Sequence, residues 1–135
     1  MKALRTLIVD DSPVMRKIVE RSLRQAGIPL EQVFEAGNGA QALDLLRQQT
    51  VDLVLSDISM PVMDGLELVR QLRKLESARA VPVLMITTEG SESCVAEAIA
   101  SGARGYIRKP FTPDQMKRQV LSLVPDSAAA DRRLP

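Results

Sequence analysis

The sequence predicts a doubly wound α/β domain, a parallel sheet of five strands with helices on both faces. Two observations predict it. The apolar runs Leu7-Ile8-Val9, Leu53-Val54-Leu55 and Val83-Leu84-Met85-Ile86 lack polar alternation. Strands buried on both faces of a parallel sheet read this way. Between the strand-like segments lie stretches with apolar residues at helical spacing, so strand and helix alternate along the chain.

Each element follows from local signals. After the first strand, Ser12 suits an N-cap and Pro13 the first helical position, and Gly27 stops the helix. Met15, Ile18, Val19 and Leu23 form its expected inward stripe. Residues 32–36 are shorter and more polar, as an edge strand would be. Gly37-Asn38-Gly39 reads as a turn into a helix over 39–49, with Ala42, Leu43 and Leu46 inward. The central strand over 53–55 leads to a third helix that starts near Gly65. That helix is expected to place Leu68, Val69, Leu72 and Leu75 on one face. A fourth helix carries Val95, Ala98 and Ile99 and ends at Gly102. A second edge strand covers 105–108. Thr112 and Pro113 then open a fifth helix that buries Met116, Val120 and either Leu123 or Val124. Residues 1–125 are expected to form one domain, and the polar, Ala-rich tail 126–135 to be disordered.

Composition removes several classes of function. A chain of 135 residues suits one domain. With 18 Lys+Arg against 17 Asp+Glu the net charge is +1, which gives no reason to expect a nucleic-acid or membrane-surface partner. There is no His, so Ser-His-Asp triads, Cys-His pairs and HExxH zinc sites are excluded. The single Cys94 excludes an internal disulfide and suits a reducing compartment. No apolar run approaches the ~20 residues of a membrane span, and the N-terminus lacks a signal-peptide core. A cytoplasmic location is the expectation. No GxxxxGK[ST] loop is present, which argues against nucleotide hydrolysis.

Chemistry collects at the strand ends. Asp10 and Asp11 follow the first strand, Asp57 the third, Thr87 the fourth and Lys109 the fifth. In an open parallel sheet these ends share the carboxyl edge, where ligands bind. Each Asp alone would be an ordinary turn or cap residue, but together they form a constellation. Three crowded carboxylates repel, and a hard divalent ion relieves the conflict. Three Asp and one Lys leave a formal charge of −2, which one Mg²⁺ cancels. Mg²⁺ accepts one or two carboxylates plus waters and a phosphate oxygen. The ion, Lys109 and the Thr87 hydroxyl can each engage a phosphoryl oxygen. A carboxylate can itself be the nucleophile. Asp57 stands alone on the central strand and is the choice, while Asp10 and Asp11 read as a metal-binding pair.

The segments Val9-Asp10-Asp11-Ser12, 55–65 around Asp57, Pro82 to Thr87 and Gly102 to Phe111 carry a family likeness. Over about 4–124 the sequence resembles the receiver domain of two-component response regulators, in particular its stand-alone chemotaxis members. The resemblance implies the flavodoxin-like strand order 2-1-3-4-5. It implies that Asp57 accepts a phosphoryl group from a phosphohistidine on a sensor histidine kinase. It gives Asp11, Asp57 and the backbone carbonyl of Ser59 as Mg²⁺ ligands, with Asp10 acting through water and Mn²⁺ as a substitute ion. It gives Thr87 and Lys109 as phosphoryl-oxygen partners, a cis Lys109-Pro110 bond, and Tyr106 as a switch residue that follows Thr87. Partner preference would then change at the surface of the fourth helix, fifth strand and fifth helix. Ser59 and Glu89 would border the path of the hydrolytic water and modulate dephosphorylation. Thr88 is bulkier than the Ala or Gly common after the switch Thr and would narrow donor access.

Ordinary readings stand beside these. Tyr106 also suits a half-buried edge-strand aromatic. Arg16, Lys17, Arg21 and Arg24 suit a solvated helix face, or alternatively a surface for a kinase or phosphatase helix bundle. Arg104, Arg108, Lys117 and Arg118 add positive charge near the output surface. The downstream partner is expected to be the flagellar motor switch or a phosphotransfer protein, and the protein a monomer. A haloacid-dehalogenase-like phosphohydrolase is a rival, but Ser59 occupies the place of its general acid. A DNA-binding regulator without its output domain is another, and no recognition helix follows here.

Overall fold

A computed structural model describes residues 2–88 and 92–124. The elements are β1 (Leu4–Val9), α1 (Pro13–Gln25), β2 (Leu30–Ala36), α2 (Gly39–Gln48), β3 (Leu53–Asp57), α3 (Gly65–Leu72), β4 (Val83–Thr87), α4 (Glu92–Ser101), β5 (Gly105–Arg108) and α5 (Pro113–Leu123). All strand pairs are parallel, and the order is β2-β1-β3-β4-β5. The polar strands β2 and β5 take the edges, where one flank of the backbone stays unpaired. The apolar β1, β3 and β4 take the middle.

Strand alternation divides the core into two layers. Ile8, Leu55, Leu84 and Ile107 meet Val19 and Leu23 of α1 and Met116 and Val120 of α5. On the other face Leu7, Val9, Val54 and Met85 meet Leu43 and Leu46 of α2, Leu68 and Leu72 of α3, and Ala98 of α4. Ser12 and Thr112 cap their helices as expected, and Asn38 and Asp64, not singled out as caps in the sequence, do the same for α2 and α3. Ser12 accepts from the Met15 N–H, Asn38 from Gln41, and Asp64 from Glu67. Thr112 and Gln115 exchange a full capping box.

Three expected core positions differ. Ile18 is 44% exposed. Helix α1 turns Val19, Ser22 and Leu23 to the sheet, and Ile18, one step around the helix, borders a groove with Met15, Thr88, Pro110 and Phe111. Ile99 is 48% exposed, because α4 packs through the small side chain of Ala98 next to it. Helix α3 stops at Leu72, so Leu75 lies beyond it in a turn, partly buried all the same. Arg73 secures that turn by donating to the carbonyls of Arg79, Val81 and Gly102. Among the described residues no helix is long and apolar enough to cross a membrane. Glu89 and the tail 126–135 lie outside the described residues.

The exposure of Ile18 has a measurable consequence. Ile18→Ser should change the unfolding free energy by less than about 0.5 kcal/mol. Leu23→Ala, on the buried face of the same helix, should cost about 2–5 kcal/mol in urea denaturation.

Candidate functional site

Strand register brings the strand-end residues together. Val9 lies opposite Ser56, so Asp10 leaves the sheet at the level of Asp57. Asp57 lies opposite Ile86, which puts Thr87 one residue further along. Arg108 lies opposite Thr87, and Lys109 comes next. All five leave the same edge because the strands are parallel.

The side chains converge. Carboxylate oxygens of Asp10, Asp11 and Asp57 lie within 4.8 Å of one another. Asp10 is almost fully buried, Asp57 half-buried and Asp11 exposed. Lys109 Nζ stands 3.5 Å from Asp10 Oδ2 and 3.8 Å from Asp57 Oδ2. Its backbone N–H donates to the Thr87 carbonyl at 2.7 Å, and the Lys109-Pro110 peptide is cis. Asp57 Oδ1 accepts from the Ile58 N–H at 2.8 Å. Asp10 Oδ1 accepts from the Ser12 N–H at 2.9 Å. Thr87 is 3% exposed.

Burial pushes the Asp57 carboxyl above its ordinary pKa. The ammonium of Lys109 works against this, the charge of Asp10 adds to it, and the backbone N–H groups of Ile58 and Ser59 oppose it. The three carboxylates therefore carry more negative charge than Lys109 offsets. Its donors are all oxygen, which suits a hard ion. Mg²⁺ holds its ligands at about 2.1 Å and keeps waters. Carboxylates spread over 4.8 Å fit an ion that takes some of them directly and one through water.

The loop after β3 holds Asp57 in place. The Gly65 N–H donates to the Ile58 carbonyl at 2.8 Å, closing residues 58–65 into a tight return. A Cβ at Gly65 would collide with the Asp57 carbonyl oxygen and would stand 2.7 Å from Met85 Cε. No side chain fits there, so the glycine is required by close approach. The Gly39 N–H donates to the Met63 carbonyl, docking the start of α2 on the same loop.

Other expected residues lie around this centre. Ser59 is exposed, and its backbone reaches the Asp57 carboxylate. Tyr106 is 39% exposed, as a half-buried aromatic on an edge strand would be. It pairs with Met85, two residues before Thr87, so Tyr106 and Thr87 share one face of the sheet. A cleft of about 680 Å³ runs along β5 and α5, lined by Tyr106, Arg108, Lys109 and Arg118 among others. The basic face of α1 is largely paired. Lys17 and Arg24 meet Glu35 and Glu20, while Arg16 turns inward and donates to the Asp10 carbonyl. Composition gave no sign of that inward turn, because its partners are a backbone oxygen and a residue of β2.

Residues 6–121 match the response regulator receiver domain family. The chain belongs to that family. It is 39% identical over 118 residues to a chemotaxis protein CheY homolog of Campylobacter jejuni, covering 87% of this chain and 89% of that protein. It is 40% identical over 119 residues to chemotaxis protein CheY-3 of Vibrio cholerae, covering 88% and 90%. The solved structure of Vibrio cholerae CheY4 superposes with a TM-score of 0.81 at 34% identity, covering 90% of this chain and 99% of that one. The receiver domain of a Pseudomonas aeruginosa sensor histidine kinase has a TM-score of 0.81 at 27% identity, covering 93% and 100%. That crystal structure has a magnesium ion coordinated in its active-site cleft. This receiver domain is thus a CheY-like member of a two-component signalling family. The phosphohydrolase alternative has no support from these matches.

The packing at Gly65 gives a direct test. Gly65→Ala should destabilise the receiver domain by about 1–3 kcal/mol or more, since the added methyl has no room. Gly27→Ala, at φ +79° but with nothing within 4 Å of its Cβ, should cost only about 1 kcal/mol by the same denaturation assay.

Proposed function

We propose that Asp57 is the phospho-acceptor of a chemotaxis signalling switch, loaded by a sensor histidine kinase. The convergence of Asp57, Lys109, Asp10 and Asp11 carries this reading. A carboxylate oxygen of Asp57 attacks the phosphorus of a phosphohistidine. The P–O bond forms as the P–N bond breaks, and the released imidazole takes up a proton from solvent. Lys109, already 3.8 Å from Asp57, pairs with a phosphoryl oxygen. The Thr87 hydroxyl donates to another. Asp11, Asp57 and the Ser59 carbonyl would hold Mg²⁺, or Mn²⁺ in its place, with Asp10 assisting through water. The ion supplies the positive charge that lets a dianionic phosphoryl group approach three carboxylates.

The output follows from the shared sheet face of Thr87 and Tyr106. Drawing Thr87 toward the new phosphoryl group frees space that Tyr106 moves to fill. Added charge at one site thereby biases the face made by α4, β5 and α5. The motor switch is the favoured target, because the relatives matched at 39% and 40% identity are chemotaxis proteins. Transfer onward to a phosphotransfer protein is the second reading. It draws on the likeness to a kinase-borne receiver, at 27% identity. Ser59 and Glu89 set the lifetime of the acyl phosphate, and the protein works as a cytoplasmic monomer.

Asp57→Asn should abolish labelling by acetyl phosphate with Mg²⁺ while leaving the circular dichroism spectrum unchanged. Full labelling of that variant would remove Asp57 as the nucleophile. Asp11→Ala should weaken Mg²⁺ binding at least about tenfold by titration calorimetry.

A further inference from the structure

Arg16 belongs by sequence to an outer basic face, yet its side chain is only 17% exposed. Its Nη1 donates to the backbone carbonyl oxygen of Asp10 at 2.6 Å. Its Nε donates to Glu35 Oε1 at 2.8 Å, and Lys17 Nζ donates to the other oxygen, Oε2, at 2.9 Å. One guanidinium thus ties α1 to the end of β1 and to β2. We propose that Arg16, oriented by Glu35, is a positioning residue for the Mg²⁺-binding carboxylates Asp10 and Asp11. This rests on the metal assignment proposed above.

The carbonyl that Arg16 holds belongs to the peptide unit joining Asp10 to Asp11. Swinging of that unit displaces the Asp10 carbonyl carbon and the Asp11 nitrogen, and so tilts the Cα–Cβ bond of each residue. Every other polar group of Asp10 is engaged as well. Its N–H donates to the Ala36 carbonyl at 3.1 Å, its Oδ1 accepts from Ser12, and its Oδ2 faces Lys109. Asp11 is exposed, and its carboxylate has no hydrogen bond among the described residues. Its aim therefore depends on the peptide that precedes it.

The geometry calls for arginine. A planar fork can donate to a carbonyl and a carboxylate at once, in fixed directions, which a single ammonium reproduces poorly. Hydrogen bonds from Lys17 and Arg16 hold the Glu35 carboxyl below its ordinary range, so Glu35 stays charged at neutral pH as the counter-ion of Arg16. Groups one bond removed from metal ligands commonly set affinity by about 10–100-fold.

The test is Mg²⁺ titration calorimetry on the full chain at neutral pH, with thermal melts in EDTA alongside. Arg16→Ala should weaken the Mg²⁺ affinity about tenfold or more. Arg16→Lys and Glu35→Gln should fall between that variant and the unsubstituted protein. Arg24→Ala, which breaks the Arg24–Glu20 ion pair on the outer side of the same helix, should leave the affinity unchanged. A lowered melting temperature in Arg16→Ala with Mg²⁺ affinity within about twofold of the unsubstituted protein would reduce Arg16 to a structural tie and overturn the proposal. If Arg16→Ala fails to fold, Arg16→Lys and Glu35→Gln carry the same test, and unchanged affinity in both overturns it. Failure of the unsubstituted protein to bind Mg²⁺ would instead bring down the metal assignment, and this proposal with it.

Discussion

Three carboxylates share one end of the sheet with the Lys109 ammonium, and most of the surrounding structure manages that crowding. Two unit charges about 5 Å apart repel by roughly 3 kcal/mol at an effective dielectric near 20. The exposed Asp11 is screened well below that figure. Lys109 sits between Asp10 and Asp57 and offsets part of the repulsion. Backbone N–H groups at Ser12 and Ile58 offset more. What remains is a pocket whose charge favours a small hard cation.

Such a pocket is useful only if its oxygens cannot drift apart to relieve the repulsion. The bracing is mostly backbone. Gly65 lets the chain turn back against the Asp57 carbonyl where any side chain would be expelled. The start of α2 closes on the same loop through Gly39 and Met63. Arg16 fixes the peptide between Asp10 and Asp11 from the side of α1. Gly65 and Arg16 brace the strand just before them, while Gly39–Met63 and Arg16–Glu35 link separate elements, so local turns and tertiary contacts hold the site together.

The site also has a route to the surface. Thr87 ends β4 inside the pocket, and Tyr106 lies on the same sheet face one strand away. Tyr106, Arg108 and Arg118 border an open cleft. Under the proposed function, charge arriving at Asp57 would act on a residue whose neighbour is already at the boundary with solvent, where a small displacement can alter a binding face.

Much of this was legible in one sequence. Unbroken apolar runs marked the middle strands, caps marked the helix starts, and the residues after each strand marked the site, because parallel strands must end together. The family likeness supplied the strand order, and with it the chemistry proposed for Asp57. Helix rotation was not legible. Ile18 and Ile99 look as apolar as Val19 and Ala98, and only the docking angle of each helix decides which of them faces the sheet. Arg16 was equally hidden, since a charge on a helix reads as solvated until the fold sets a carbonyl and a carboxylate beside it. The sequence by itself determined which residues reach the pocket, because order along the chain and strand direction are local properties. The tertiary structure decided how firmly those residues are aimed, because that depends on contacts between segments with no sequence relation to one another.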